Sequence, residues 1–291
     1  MPFLTRLREF LNLIKFEHTI FALPFAYLGM LLAARGWPGW DKFIWITIAM
    51  AAARTVAMGF NRIADRFWDA RNPRTSRRPL VTGSISLRTA WIGTLAAALI
   101  LLLAAWQLNS LALELAPVAL LFLFGYSFTK RFTVLSHFIL GLTDGIAPVG
   151  AWVAVRASLF TLADLPAWLL LAVVTLWIGG FDLIYACQDV EFDRKYGLHS
   201  IAARSGVAYA LKLSSICHAV MLLALAGLGI VMRLGWPYWL AIVVVTGLVV
   251  YEHSLVSPYD LSKVDVAFFN VNSYISVLLF AGVLGTILIA A

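Results

Sequence analysis

Nine long apolar runs divide this chain of 291 residues and leave it almost no choice of architecture. They cover 19–34, 43–60, 89–108, 111–128, 135–155, 165–187, 207–232, 236–251 and 266–291. A hydrocarbon layer about 30 Å thick is crossed by about 20 residues of helix, and a segment inside it must satisfy its own backbone hydrogen bonds. The first and eighth runs are short and borrow flanking residues to complete a crossing. With 62% hydrophobic residues, 13% charged residues and a mean hydropathy of +0.89, this is no ordinary water-soluble domain. The expectation is an all-α integral membrane protein with nine transmembrane helices in a bundle, one polytopic domain over 1–291.

Lysine and arginine positions give the orientation. Counted over the amino-terminal segment and alternate loops they number 17, against four on the other side (Arg35, Lys42, Arg156 and Arg233), with Arg54 inside a run. Basic residues gather on the cytoplasmic side, so the amino terminus and the two long basic loops, 70–87 and 194–206, are assigned to the cytoplasmic face of the membrane. The amino end, with Arg6, Arg8 and Lys15 among Phe3, Leu7, Phe10, Leu11 and Ile14, reads as an amphipathic basic segment rather than a cleavable signal. The net charge of +7 suits anionic lipid head groups and an anionic substrate; without an extended basic arm it does not suit nucleic acid. Cys187 and Cys217 lie within or beside apolar runs and give no disulfide framework. The five histidines show no metal-ligand spacing and read as packing or interfacial residues.

The chain has only 15 acidic residues, and two groups of them sit at cytoplasmic helix ends. Asn61, Asp65 and Asp69 are four apart and share one face of a helix. Asp189 and Asp193 repeat that spacing, with Asp182 two turns earlier on the same side. Asn61 and Asp65 recur 128 residues later as Asp189 and Asp193, so the chain reads as two weakly related halves facing one central cavity. Oxygen ligands stacked on a helix face suit Mg²⁺, and Mg²⁺ suits a diphosphate. Asn61, Asp65, Asp69, Asp189 and Asp193 are the metal-ligand set. Arg62, Arg77, Arg78, Lys130, Arg131, Arg194, Lys195 and Arg204 balance the remaining charge, arginine as a planar fork and lysine as a point charge. Tyr126 and Lys130 are also four apart, a spacing that lets a phenol and an ammonium grip one diphosphate or, read otherwise, form an interfacial belt. A carboxylate at membrane depth costs about 3 kcal/mol, so Asp182 and Asp144 should face the interior with partners. Glu191 is turned off the acidic face, toward solvent. Pro24, Pro117 and Pro148 permit kinks, and Gly179-Gly180 could open the sixth helix or simply pack.

With those residues in place, the chain resembles the UbiA superfamily of intramembrane prenyltransferases. Asn61…Asp65…Asp69 matches the motif after that family's second helix, and Asp189…Asp193 the one after its sixth, with Asp182 at the upstream aspartate. Arg78-Pro79-Leu80, the Tyr126…Lys130-Arg131 stretch and Gly197-Leu198-His199-Ser200 look like the family as well. The resemblance implies a nine-helix bundle around a cavity open to the cytoplasm and to lipid. It further implies a Mg²⁺-dependent transfer of a polyprenyl group from polyprenyl diphosphate to a hydroxyaryl carboxylic acid, in menaquinone or ubiquinone biosynthesis. Asp65, Asp69, Asp182, Asp189 and Asp193 would be catalytic, and Arg62, Arg78, Tyr126, Lys130, Arg131 and Lys195 would hold the diphosphate. Phe25, Phe60, Trp68, Tyr126 and Tyr185 would shelter an allylic cation. The proton acceptor is either Asp182 or a metal-bridged carboxylate.

Arg62 departs from the pattern, standing where many members carry an aspartate. That residue and the opening Lys15-Phe16-Glu17-His18-Thr19 look more like the bacterial branch called UbiA-like, or MqnP, whose acceptor would be a dihydroxynaphthoate rather than 4-hydroxybenzoate. Arg54, two turns before Asn61, is read as an acceptor-carboxylate ligand or as a partner of Asp144 or Asp182. Two other classes compete. A CDP-alcohol phosphotransferase would need an Asp-Gly-x-x-Ala-Arg signature, which is missing. A secondary transporter would carry its acids near the midplane rather than at one face.

Overall fold

The computed structural model describes residues 19–290 together with 9, 13 and 14. The amphipathic amino-terminal segment therefore lies largely outside the described residues. The long helices are α1 (Thr19–Ala34), α2 (Trp40–Asp69), α3 (Leu87–Leu108), α4 (Ser110–Thr129), α5 (Ser136–Arg156), α6 (Leu165–Ala186), α7 (Val207–Met232), α8 (Trp236–Ser254) and α9 (Asn272–Ala290). Among the described residues there is no strand beyond one isolated bridge between Ser257 and Asp260.

Among the described residues seven helices, α2 to α7 and α9, are long and apolar enough to cross a membrane. The expected nine crossings are not met at that standard. α1 has 16 residues and is too short by length alone. α8 has 19, but aromatic residues and Pro237 occupy one end and Glu252-His253-Ser254 the other. Large apolar side chains that water would not tolerate stand outward along the helices. Leu99, Leu121, Leu223, Val243 and Leu288 are each 67–71% exposed, a pattern that a hydrocarbon solvent explains and an aqueous one does not.

One long helix carries its motif as the spacing leads one to expect, and two other elements differ from the sequence expectation. The second apolar run stops at Phe60, yet α2 continues to Asp69. Its 30 residues measure about 45 Å, longer than the hydrocarbon is thick, so the whole first acidic motif rides on one rigid helix that overruns the membrane. α6, by contrast, ends at Ala186 and is followed by a 3₁₀ turn, Cys187–Asp189, and a short helix, Val190–Tyr196. Asp182, Asp189 and Asp193 are thus not on one continuous helix face. Gly179 and Gly180 lie inside α6 and do not open it. The last apolar run begins with a π-helical turn, Val266–Val271, before α9.

Two compact units can be distinguished, one built on α2 to α4 (Asp41–Phe128), the other on α1 and α5 to α9 (Phe21–Trp40 and from Thr129 onward). In the first, Ala52 and Val56 of α2 pack with Ala97, Ala98 and Leu101 of α3 and Leu123 of α4. Ser86 starts α3 by accepting the Thr89 N–H at 3.1 Å, and Lys42 Nζ donates to the Leu108 carbonyl at its end, at 2.7 Å. In the second unit, Gly141 of α5 lies against the Thr175 backbone of α6, where a Cβ would collide with the carbonyl. A core of Leu183, Ile184, Cys187, Ile201, Ala202, Leu211 and Cys217 lies under the second motif. Both cysteines are free, as expected.

The loop before α6 depends on Asp164, which is 0% exposed. Its carboxylate accepts from Trp152 Nε1 at 2.9 Å, Ser158 Oγ at 2.6 Å, and Thr161 N and Oγ1 at 3.1 and 2.7 Å. Removing it strands several buried donors, each costing about 1–3 kcal/mol. Asp164→Ala should therefore lower stability by about 3 kcal/mol, read as a fall in the melting midpoint of the detergent-solubilised protein, whereas Glu191→Ala, on an exposed residue, should leave it unchanged.

Candidate active site

The end of α2 orders the first motif. Asn61 Nδ2 donates to Asp65 Oδ2 at 2.9 Å, and Asn61 Oδ1 accepts from Arg62 Nη1 at 3.3 Å. The second contact fixes the amide orientation, because Nδ2 cannot accept from a guanidinium. As placed, Asn61 aligns Asp65, and its oxygen keeps a second lone pair beside the bond from Arg62. Arg62 is itself buried, within electrostatic reach of Asp65, Asp69, Tyr126 and Arg78.

Asp69, the last residue of α2, is buried and accepts from Arg78 Nη1 at 2.6 Å. The intervening loop is held by its own bonds. Thr75 Oγ1 donates to the Asp69 carbonyl at 3.1 Å, Arg74 N to Asn72 Oδ1 at 3.0 Å, and Arg78 N to the Thr75 carbonyl at 3.0 Å. Pro79 then opens a helical turn, Pro79–Thr82, with Leu80 buried and Gly83 closing it at φ 78°. That is why Arg-Pro-Leu follows the motif: the turn anchors Arg78 opposite Asp69.

The second motif is built on the break after α6. Asp189, in the 3₁₀ turn, and Asp193, on the short helix, are both buried, Asp193 completely. Lys130 Nζ lies 2.9 Å from Asp193 Oδ1. Gly197 ends the short helix in the left-handed region, Leu198 N donates to the Asp193 carbonyl at 2.9 Å, and His199 N donates to the Lys130 carbonyl at 2.7 Å. Ser200 caps the next turn by accepting from Ala203 N at 3.2 Å. Gly-Leu-His-Ser is thus the bracket that brings Lys130 to Asp193.

The remaining sequence-derived residues fall differently. α4 ends at Thr129, immediately before Lys130. Tyr126 Oη donates to the Ala57 carbonyl at 3.0 Å, tying α4 to α2. Arg131 is half-buried in the turn after α4. Lys195 is exposed, its ammonium 5.5 Å from the centroid of the Tyr196 ring. Arg54 is half-buried on α2, with Nε lacking a hydrogen-bond partner. Phe60 is ringed by Trp91, Phe124 and Phe128 at 4.8–5.7 Å between centroids, and Phe25 packs on Trp177 at 4.8 Å. Glu191 is exposed and Asp144 half-buried.

Two features were missed because histidine carries no periodic signal. Asp182 Oδ2 lies 2.6 Å from Nδ1 of buried His137 on α5, 45 residues away in sequence. Histidines 218 and 253 meet beside Glu252, so they are not the scattered packing residues the spacing indicated.

Comparison with known proteins places this geometry in context. The model of the UbiA prenyltransferase family matches residues 22–274. A 4-hydroxybenzoate octaprenyltransferase of Cupriavidus metallidurans is 33% identical over 254 residues, covering 87% of this chain and 84% of that one. The apo structure of a UbiA homolog from Aeropyrum pernix K1 aligns with a TM-score of 0.84 at 34% identity, over 92% of this chain and 98% of its own. A UbiA homolog from Archaeoglobus fulgidus bound to DMAPP and Mg²⁺ aligns at 0.66 with 19% identity, over 93% of this chain and 99% of its own, a likeness of fold.

The Tyr126 hydroxyl now separates two roles. If it serves to tie α4 to α2, Tyr126→Phe loses about 1 kcal/mol of stability and keeps a wild-type KM for any diphosphate substrate. A several-fold rise in that KM, measured in steady state with the melting midpoint unchanged, would restore the phenol to the substrate.

Proposed function

Since this chain is a prenyltransferase of the UbiA family, we propose that it transfers a polyprenyl group from polyprenyl diphosphate to a hydroxyaryl carboxylic acid for quinone biosynthesis, using both aspartate motifs. The reading rests on one observation. Two buried carboxylates at the motif ends, Asp69 and Asp193, are each held by a cation, Arg78 and Lys130. A buried carboxylate needs a counter-charge, and these side chains supply one while remaining free to turn to an anionic phosphate.

Each motif's donors fit Mg²⁺, being all oxygen and rich in carboxylate; Asp65 and Asp69 in the first motif, and Asp189 and Asp193 in the second, would hold it. Bound there, Mg²⁺ would withdraw charge from the leaving diphosphate. The chain's own groups do the rest. Arg62, Arg78, Lys130 and Arg131 receive the diphosphate as the allylic C–O bond breaks and its electron pair departs with the phosphate. A ring carbon, made electron-rich by the hydroxyl, supplies the pair for the new C–C bond. The ring then gives up its proton, for which Asp182, oriented by His137, is the carboxylate left free of the metal set. Arg54 reads the acceptor's carboxylate, supported by its unpartnered Nε inside α2. We assign all nine long helices as crossings of a single polytopic domain, with both motifs toward the cytoplasm of the bacterial inner membrane and lipid around the bundle. The uneven distribution of basic residues supports that orientation.

Purified protein with Mg²⁺, a series of prenyl diphosphates and either 4-hydroxybenzoate or a dihydroxynaphthoate should give a product whose mass is the acid plus prenyl minus one hydrogen, with one diphosphate released. Release of CMP from a CDP-alcohol instead, or no prenylated aromatic with any acid, would overturn the assignment. Asp65→Asn and Asp193→Asn should each lower turnover by about 10²–10³-fold in protein that still inserts and folds. Arg54→Gln should raise KM for the acid and leave KM for the diphosphate unchanged; an unaltered acid KM removes Arg54 from the acceptor site.

A further inference from the structure

A buried cluster of His218, Glu252 and His253 takes no part in the reaction above. His218 stands on α7, and Glu252 and His253 on the last turn of α8. One ligating atom from each lies within 4.8 Å of the others. His218 and Glu252 are both 0% exposed. Gly180 of α6 makes room for the His218 imidazole, since a Cβ there would collide with Nε2 and Cδ2.

The surrounding hydrogen bonds fix the protonation of one ring and limit that of the other. His218 Nε2 faces the Trp177 carbonyl at 3.1 Å, which can only accept, so Nε2 bears the hydrogen and Nδ1 the lone pair. Ser215 Oγ donates to the Leu211 carbonyl at 3.1 Å and lies 3.2 Å from His253 Nδ1. While that hydroxyl proton stays on the Leu211 carbonyl, His253 Nδ1 can donate to Oγ, and His253 Nε2 then keeps its lone pair; when Ser215 turns to Nδ1 instead, Nε2 carries the hydrogen. His218 Nδ1 and His253 Nε2 face each other at 2.9 Å. Glu252 Oε2 lies 3.5 Å from His218 Nδ1, buried with no hydrogen-bond partner. The other carboxylate oxygen is held by Asn272 Nδ2 at 3.0 Å, and Trp177 Nε1 donates to Asn272 Oδ1 at 2.6 Å, so the carboxylate cannot simply turn away. In the first of those tautomers three electron-pair donors lie within 4.8 Å of one another, an arrangement that a cation between them stabilises.

We propose that this cluster binds one divalent metal ion of the zinc type, ligated by His218 Nδ1, His253 Nε2 and Glu252 Oε2, as a structural clamp joining α7 to α8. Two histidines and a carboxylate are a zinc donor set. In that tautomer each imidazole directs its outer N–H to an oxygen acceptor, and the carboxylate is pinned from behind, which is how surrounding groups orient metal ligands. A Zn–N bond of about 2.0–2.1 Å puts two tetrahedral nitrogens about 3.3 Å apart, so the ring pair opens by a few tenths of an ångström on binding. The donors differ in kind from the all-oxygen aspartate sets, and the site does not depend on the prenyl-transfer reading.

The test uses the full-length protein purified with Mg²⁺ but no added transition metal. Elemental analysis should find one zinc per chain that survives gel filtration, and a strong zinc chelator should lower the melting midpoint by several degrees. Cobalt exchanged into the emptied protein should give the intense visible absorption of a four-coordinate, nitrogen-bearing site. That absorption should persist in Asp65→Asn and Asp193→Asn and vanish in His218→Gln and His253→Gln. Wild-type protein that takes up neither zinc nor cobalt, with a melting midpoint indifferent to the chelator, overturns the proposal and leaves a proton as the shared cation, as does a cobalt band retained in both histidine variants. The wild-type measurements decide the matter even if a histidine variant fails to fold.

Discussion

Inside hydrocarbon a peptide group has only other protein groups to bond, which confines each crossing to helix and pushes side chains that need water or counter-charge toward helix ends. The rest of this molecule follows from that restriction. Hydroxyls within the apolar stretches turn back on their own helices: Thr55 bonds to the Ala51 carbonyl, Thr94 to Ala90, Thr143 to Ile139 and Thr246 to Ile242. The acidic motifs, which cannot be satisfied that way, sit where α2 overruns its apolar run and where α6 breaks.

Charge neutralisation is the second constraint, and it explains the loops. Asp69 and Asp193 are buried carboxylates, and each is answered by a cation that a short, tightly hydrogen-bonded segment delivers. Asp164 is answered instead by four hydrogen bonds, with the Arg156 guanidinium 3.5 Å away. Glu252 differs from these. Like Asp193 it has an oxygen without a hydrogen-bond donor, but two imidazoles stand beside it where Asp193 has a lysine, and a carboxylate that keeps its charge there is expensive. The contrast among these carboxylates is what directs attention to a bound cation at Glu252.

The site was readable where its chemistry is local in sequence. The four-residue spacing of Asn61, Asp65 and Asp69 requires only a helix, and α2 supplies one through the whole motif. The same spacing at Tyr126 and Lys130 did not announce their partners in the fold, the Ala57 carbonyl for the phenol and Asp193 for the ammonium. Periodicity cannot see which group the far end of a side chain meets. At Asp182 to Asp193 the spacing was right and the continuous helix was not, since a 3₁₀ turn re-aims the last two carboxylates.

By itself the sequence determined the membrane class, the places of the long helices to within a few residues except at the end of α2 and the start of α9, and the two acidic motifs with their flanking cations. It could do so because hydropathy and helical spacing are properties of neighbouring residues. Only the tertiary structure decided which cation answers which carboxylate, that Tyr126 spends its hydroxyl on the Ala57 carbonyl, and that His137 meets Asp182 across 45 residues. It alone brought His218 and His253, 35 residues apart, into contact beside Glu252. Those pairings depend on which faces of separate helices pack together, and an apolar helix surrounded by lipid carries almost no amphipathic stripe to announce its packed face.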